Sequence, residues 1–128
     1  MPIKKVTMES YITRYCIIKP NEVIVDGKVV ITNEDQSEFG PYMKSIYKQY
    51  DIKYPKYFKM DNLCKLAFLG AEIVLLENEN VKKLDPVKVG VILQNSHSSL
   101  DTDIKYNETI KDKSNYFPSP AVFVYTLP

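Results

Sequence analysis

Residues 60–77 read MDNLCKLAFLGAEIVLLE and decide the expected fold of this 128-residue chain. Apolar residues recur at steps of three and four, which places them on one face of an α-helix. Asp61 precedes them as a favourable N-cap residue. Further apolar side chains extend this surface around the helix, so we expect the fold to enclose it almost completely. They are Phe68, Leu69, Ile73 and Leu76, beside the face of Leu63, Ala67, Gly70, Ala71, Val74 and Leu75.

The segments before this helix predict antiparallel strands. Residues 11–18 are rich in β-branched and aromatic side chains, as strands are. Two β-branched runs, 23–25 and 28–31, flank Asp26 and Gly27. Glycine accepts the positive φ of a type I′ turn, so this pattern predicts a β-hairpin.

A second helix and a buried strand complete the expected fold. Apolar spacing predicts a short helix over residues 42–50. Residues 87–93, VKVGVIL, become continuously apolar, as a buried strand does. The polar residues 94–103 would then lie at the carboxyl end of that strand, where ligands gather in open α/β sheets. These elements predict one α/β domain over residues 1–128, with a mixed sheet packed on a long buried helix.

Composition excludes several classes of function. Seventeen basic and sixteen acidic side chains leave a net charge of +1, so we expect no nucleic-acid partner. The longest apolar run, residues 121–127, is far too short to span a membrane, and the N-terminus lacks a signal core. The two cysteines fit no zinc spacing or disulfide framework. We expect a cytoplasmic protein with no metal and no cofactor.

The individual candidates for chemistry are few. We expect Cys64 and Cys16 to be buried, with a raised thiol pKa that makes them inert. His97 is the one histidine, and with Ser96, Ser98 and Asp101 it offers a weak alternative for acid–base chemistry. Asp101 and Asp103 suit a cation, but their position favours capping of a short helix over residues 104–111. No catalytic set emerges from these residues.

Three segments in order resemble the N-terminal half of the β-ketoacyl-acyl carrier protein synthases. Residues 60–75 resemble the first long helix of that family. Residues 88–103, KVGVILQNSHSSLDTD, resemble its valine-glycine strand and the small-residue loop that follows. Residues 116–128, YFPSPAVFVYTLP, resemble its Ser-Pro segment. The similarity covers about residues 57–128 and is closest to a short, divergent branch of this thiolase-like superfamily.

The resemblance implies half of a thiolase-like fold and a 3-oxoacyl synthase subunit of fatty-acid, polyketide or aryl-polyene synthesis. It also implies an acyl carrier protein as partner, and a homodimer or a heterodimer with a second ketosynthase-like subunit. The cysteine and histidines of the family follow later than this segment, so no catalytic residue is carried over. By the same analogy, five residues would line the acyl pocket or dimer interface: Ser119, Pro120, Val122, Phe123 and Tyr125.

Two other functions remain open at this stage. One is a small acyltransferase that uses His97 with Ser96, Ser98 and Asp101. The other is a non-catalytic interaction module, because the apolar residues 121–127 need cover from this domain, a second copy or a partner.

Overall fold

The computed structural model describes residues 11–76 and 78–125, in which short strands come first and helices follow. The strands are β1 (Cys16–Ile18), β2 (Glu22–Val25) and β3 (Lys28–Thr32). The α-helices are α1 (Phe39–Gln49), α2 (Asn62–Leu76), α3 (Glu79–Lys82), α4 (Leu100–Ile110) and α5 (Pro120–Val124). Single 3₁₀ turns occupy Pro55–Lys59, Pro86–Lys88 and Lys113–Asn115. The expected mixture of helix and strand is confirmed.

The strands form an antiparallel sheet in the order β1-β2-β3. Asp26 and Gly27 join β2 to β3 with φ values of 49° and 82°, the two positive angles that a type I′ turn requires. The Asp26 carboxylate also accepts a 3.0 Å hydrogen bond from the Tyr15 backbone N–H, which fixes the turn against the start of β1. The predicted hairpin is confirmed, whereas the described sheet is antiparallel rather than mixed.

Helices α1 and α2 pack together, and α2 also packs on β1. An aromatic cluster of Tyr47, Tyr54, Tyr57, Phe58 and Phe68 fills the junction between the two helices. Its centre is the stacked pair Tyr47–Tyr57, whose ring centroids lie 4.6 Å apart. The core therefore sits where α1, α2 and the 3₁₀ turn between them meet the sheet; its buried members are Val23, Val25, Ile31, Tyr42, Met43, Ile46, Tyr47, Ile52, Tyr57, Leu69 and Ile73.

The long helix α2 forms as predicted, but the expectation that the fold nearly encloses it is wrong. Leu69 and Ile73 are its two fully buried residues, whereas Leu63, Ala71 and Leu75 are exposed. The sheet and α1 cover one face of the helix, and no described element covers the opposite face completely. An apolar surface that extends around α2 therefore remains in contact with water.

The predicted strand over residues 87–93 does not form in this structure. Pro86–Lys88 is a 3₁₀ turn, and residues 89–95 lie in neither a helix nor a strand. Val87 and Ile92 are 92% and 93% exposed. A strand needs a neighbour to pair its backbone N–H and C=O groups, and no strand in the described ranges pairs with this segment. The placement of residues 94–103 at a strand end is therefore wrong as well.

Candidate functional site

Two adjoining clefts flank Leu63 and Cys64 at the start of α2. The polar cleft has a volume of about 220 Å³ and is lined by Asp61, Leu63, Cys64, Ser98, Ser99, Asp101, Thr102 and Tyr125. The apolar cleft has a volume of about 390 Å³ and is lined by Leu63, Cys64, Ala67, Phe68, Ala71, Val91, Leu93, Gln94 and Asn95. The exposed face of α2 is thus the wall that the two clefts share.

Cys64 is the nucleophilic side chain that belongs to both clefts. Its backbone N–H donates a 2.7 Å hydrogen bond to the Asp61 carboxylate, which confirms Asp61 as the cap of α2. The residue is exposed, so the expectation of a buried Cys64 is wrong. Partial burial raises the pKa of the Cys64 thiol, and a side-chain hydrogen bond from the thiol to Asp61 and the charge of that carboxylate raise it further. The thiol is therefore protonated at neutral pH and is a poor nucleophile.

Asp101 joins α4 to the start of α2 across the polar cleft. Its Oδ2 atom accepts hydrogen bonds from the Asn62 amide at 2.9 Å and from the Lys105 ammonium at 2.7 Å. The bond to Lys105 is the main cause that lowers the pKa of the Asp101 carboxyl, and the bond to Asn62 also lowers it. Asp101 is consequently an ionised bridge between two helices.

The predicted helix after residue 103 begins earlier, at Leu100, so Asp101 and Asp103 lie within its first turn. Ser99 is the N-cap residue, and its hydroxyl donates to the Asp103 carboxylate at 3.1 Å. The prediction that the carboxylates accept the first free backbone N–H groups is wrong. They nevertheless lie where the helix dipole favours negative charge.

His97 and Ser96 form a close pair outside both clefts. The Ser96 Oγ atom lies 2.7 Å from His97 Nδ1. The His97 backbone N–H donates to the Asn95 side chain at 3.2 Å. Of the residues suggested for acid–base chemistry, Ser98 and Asp101 line the polar cleft, whereas His97 lies in neither lining. The structure therefore does not assemble all the suggested groups around one cavity.

Of the five C-terminal residues expected to line an acyl pocket or dimer interface, Tyr125 lies in the polar cleft, and the others are in neither cleft lining. Tyr125 lines the polar cleft and donates its hydroxyl to the Lys59 carbonyl at 2.7 Å. Ser119 caps α5 by accepting the Val122 N–H, and Pro120 occupies the first turn. The Phe123 ring lies 5.4 Å from that of Tyr106, and α5 packs on α4. Residues 126–128 lie outside the described part of the chain.

Asn62 was not predicted from the sequence as a residue of this region. Asn62 bonds Asp101 across 39 positions of sequence, and no local pattern announces such a pairing. The one available signal is that Asn62, a second polar residue, follows Asp61 at the start of an otherwise apolar helix.

Comparison with protein-family models, with curated proteins and with solved structures gives no match. Within residues 11–76 and 78–125, no three His, Cys, Asp or Glu residues are grouped closely enough to hold a metal ion. The described helices include none that is both long and apolar enough to cross a membrane.

Proposed function

We propose that this chain is a β-ketoacyl-acyl carrier protein synthase-like subunit. In this proposal it is cytoplasmic, belongs to fatty-acid, polyketide or aryl-polyene synthesis, and contributes half of a thiolase-like fold. The support from sequence is the order of the three segments at residues 60–75, 88–103 and 116–128. The observation that carries the proposal is structural: the apolar segment at residues 87–93 is unpaired and exposed beside α2.

Residues 87–93 have the apolar composition of a strand inside a sheet, but no described strand pairs with them and most of their apolar side chains are exposed. Val91 and Leu93 face the apolar cleft, whose other wall is the exposed surface of α2. The backbone of Val89 is extended, with φ −103° and ψ 114°. Leaving such side chains in water forgoes the free energy of their burial, about 25 cal/mol per Å² of apolar surface. Neighbouring strands from a second subunit would pair this backbone and cover α2 in one step.

In the chemistry that the resemblance implies, the reacting groups belong to a partner subunit and not to this chain. Decarboxylative condensation needs a thiolate to hold the acyl group and donors that stabilise the thioester oxyanion. The raised pKa of Cys64 does not suit the first role, and the single histidine does not supply the expected pair. In the proposal this chain supplies scaffold, and a ketosynthase-like partner with a cysteine and two histidines supplies the reacting groups.

Coexpression tests the proposal directly. The chain is produced with each ketosynthase-like subunit of the same genome that carries a cysteine and two histidines. The complexes then receive acetyl- and malonyl-acyl carrier protein, and mass spectrometry measures the 3-oxoacyl product. We expect product from one copurified pair and none from this chain alone.

The matched variants are Ile92→Asp, within the exposed segment, and Leu84→Asp, an exposed leucine outside it. Ile92→Asp is expected to prevent assembly and product formation, whereas Leu84→Asp preserves both. A complex that forms equally well with Ile92→Asp contradicts the proposal, as does a partner that is fully active without this chain.

One observation favours a second candidate, a small acyltransferase. The 2.7 Å separation of Ser96 Oγ and His97 Nδ1 is suitable for a base that activates a hydroxyl. Incubation with acyl thioesters and detection of the free thiol measures this activity. If His97→Ala abolishes acyl transfer, the candidate is supported. If the wild-type protein and His97→Ala release thiol at equal rates, the candidate is eliminated.

The interaction-module alternative rests on the apolar side chains Phe123 and Val124 of the C-terminal segment, which are exposed. Sedimentation velocity over a range of protein concentrations tests self-association through this surface. A concentration-dependent dimer that Phe123→Ser weakens supports it, and a monomer at all concentrations argues against a second copy as the cover.

A further inference from the structure

Positive charge is concentrated in α1 and in the 3₁₀ turn that follows it. Residues 41–60 contain five lysines and one acidic residue, Asp51, whereas the whole chain has a net charge of only +1. All five lysines are exposed, and together they are called the basic patch: Lys44, Lys48, Lys53, Lys56 and Lys59. The rest of the chain therefore carries a net negative charge, and the near-neutral composition conceals this separation.

The contacts of Tyr47 bring the helix and the turn together at the basic patch. Lys44 lies three positions before Tyr47 on α1, so the two side chains are neighbours on the helix surface, and Lys48 follows Tyr47 directly. The Phe58 ring lies 5.1 Å from the Tyr47 ring. The Tyr47 hydroxyl also accepts a 2.7 Å hydrogen bond from the Tyr54 backbone N–H. The turn is therefore packed against the side of α1 that carries the first two lysines.

Most lysines of the basic patch have no anionic partner within the protein. Lys53 is paired with the Asp51 carboxylate at 3.0 Å. In the described part of the chain, the other four lysines take part in no ion pair. Neighbouring like charges repel one another, so this surface gains free energy from contact with an anionic partner.

Exposed apolar side chains lie among these lysines. Tyr54 and Phe58 are 39% and 52% exposed, and Pro55 between them is exposed as well. Aromatic side chains favour the headgroup level of a bilayer, and nearby lysines attract anionic lipids. A turn that presents both kinds of side chain together therefore suits a lipid surface.

The chemistry of the side chains favours lipid over single-stranded nucleic acid. Bases bind by stacking on aromatic rings, but the Tyr54 ring is already stacked on Phe68, with centroids 5.3 Å apart. The basic patch contains no arginine, the side chain that grips single phosphate or carboxylate groups with two parallel hydrogen bonds. Lysine ammonium groups act as point charges, which suits the diffuse charge of many headgroups.

We propose that the basic patch binds the surface of an anionic phospholipid bilayer. The lysines lie near the headgroups, and Tyr54 and Phe58 enter the interfacial layer. This contact is peripheral and involves neither residues 87–93 nor the clefts beside Cys64. Its test needs no ketosynthase-like partner, so the outcome is separate from that of the proposed function.

Sedimentation with lipid vesicles measures the binding. The vesicles contain phosphatidylcholine alone or with about 30 mol% phosphatidylserine, and we expect binding to the anionic vesicles that weakens between about 0.1 and 0.5 M salt. The double variant Lys48→Gln/Lys56→Gln should lower the partition coefficient about 25-fold, or about fivefold for each lysine. Lys83→Gln/Lys88→Gln is the matched control, because it removes two exposed and unpaired lysines outside the basic patch and should change the coefficient little.

Fluorescence locates the contact, because the chain contains no tryptophan. Phe58→Trp places an indole in the turn, and Tyr54→Trp is a second reporter there. Leu84→Trp is the control, since Leu84 is 50% exposed and follows α3, beyond the opposite end of α2. Anionic vesicles should shift the emission of the two turn reporters to shorter wavelengths and leave the control unchanged. Far-ultraviolet circular dichroism verifies that each variant is folded.

Four results overturn the proposal. The first is equal partition onto neutral and anionic vesicles, and the second is an equal loss for the two double variants. The third is unchanged emission from both turn reporters on bound protein, which places the contact elsewhere. The fourth is binding to a single-stranded oligonucleotide without binding to vesicles, which assigns the basic patch to nucleic acid instead.

Discussion

Replacing Leu69 by alanine tests whether α2 is buried on one face alone. Leu69 is 0% exposed, and truncation removes three carbon atoms from the core. At about 0.8 kcal/mol per buried CH₂, the lost transfer free energy is about 2.4 kcal/mol. Incomplete collapse of the cavity adds to this value, so the expected loss in the free energy of unfolding is about 3 to 4 kcal/mol.

Leu75→Ala is the matched control, since it makes the same change in the same helix. Leu75 is 39% exposed, so part of its side chain already contacts water. Its truncation opens no closed cavity, and we expect a loss of about 1 to 1.5 kcal/mol. The two variants should therefore differ by about 2 kcal/mol.

Urea unfolding followed by far-ultraviolet circular dichroism measures both free energies. The slopes against urea must agree between the variants, because otherwise the unfolding reactions are not comparable. Equal losses for Leu69→Ala and Leu75→Ala would refute the one-sided burial of α2 and restore the enclosed helix that the sequence predicts.

Three further predictions concern the turn, the core and the thiol. Gly27→Ala places a side chain at φ 82° and should lower the free energy of unfolding by about 1 to 2 kcal/mol. Gly40 lies within α1 with open space around it, so Gly40→Ala should raise the free energy of unfolding by about 0.5 to 1 kcal/mol. Urea unfolding compares the two variants. Burial, and then the neighbouring Tyr47, raises the pKa of Tyr57 from 10.0 to about 12. The unfolded state therefore releases this proton first, and the free energy of unfolding should fall as pH rises between these values. A Tyr57→Phe variant whose free energy of unfolding falls equally steeply with pH contradicts this. Cys64 should react with iodoacetamide at pH 8 more slowly than free cysteine, and Asp61→Asn should accelerate the reaction. Mass spectrometry of the alkylated protein measures the rate. An unchanged rate in Asp61→Asn excludes Asp61 as a cause of the raised thiol pKa.

Elements that depend on local signals were predictable from sequence. The Asp26-Gly27 turn requires two positive φ angles, and its dipeptide announces them. The helices α1 and α2 follow from apolar spacing, and Asp61 follows from the preference for side-chain acceptors at a helix start. Each of these features is encoded within a few residues.

The burial and pairing of those elements were not predictable, because they depend on segments that lie far away in the sequence. Residues 87–93 satisfy the composition of a buried strand, yet pairing needs a neighbouring strand that the pattern itself does not provide. The clefts beside Cys64 arise because α2, α4 and residues 91–95 meet, and the bond from Asn62 to Asp101 joins segments far apart in sequence. Local patterns therefore predicted the individual segments better than the surfaces between them.

The stacked rings of Tyr47 and Tyr57 supply an optical reporter of the native core. The chain contains ten tyrosines and no tryptophan, so indole absorption does not mask the tyrosine signal. Rings held 4.6 Å apart at a fixed angle couple their electronic transitions and give near-ultraviolet circular dichroism that freely rotating rings lack. Loss of that band with helical ellipticity retained would reveal loosening where α1 and α2 meet, without any label attached to the protein.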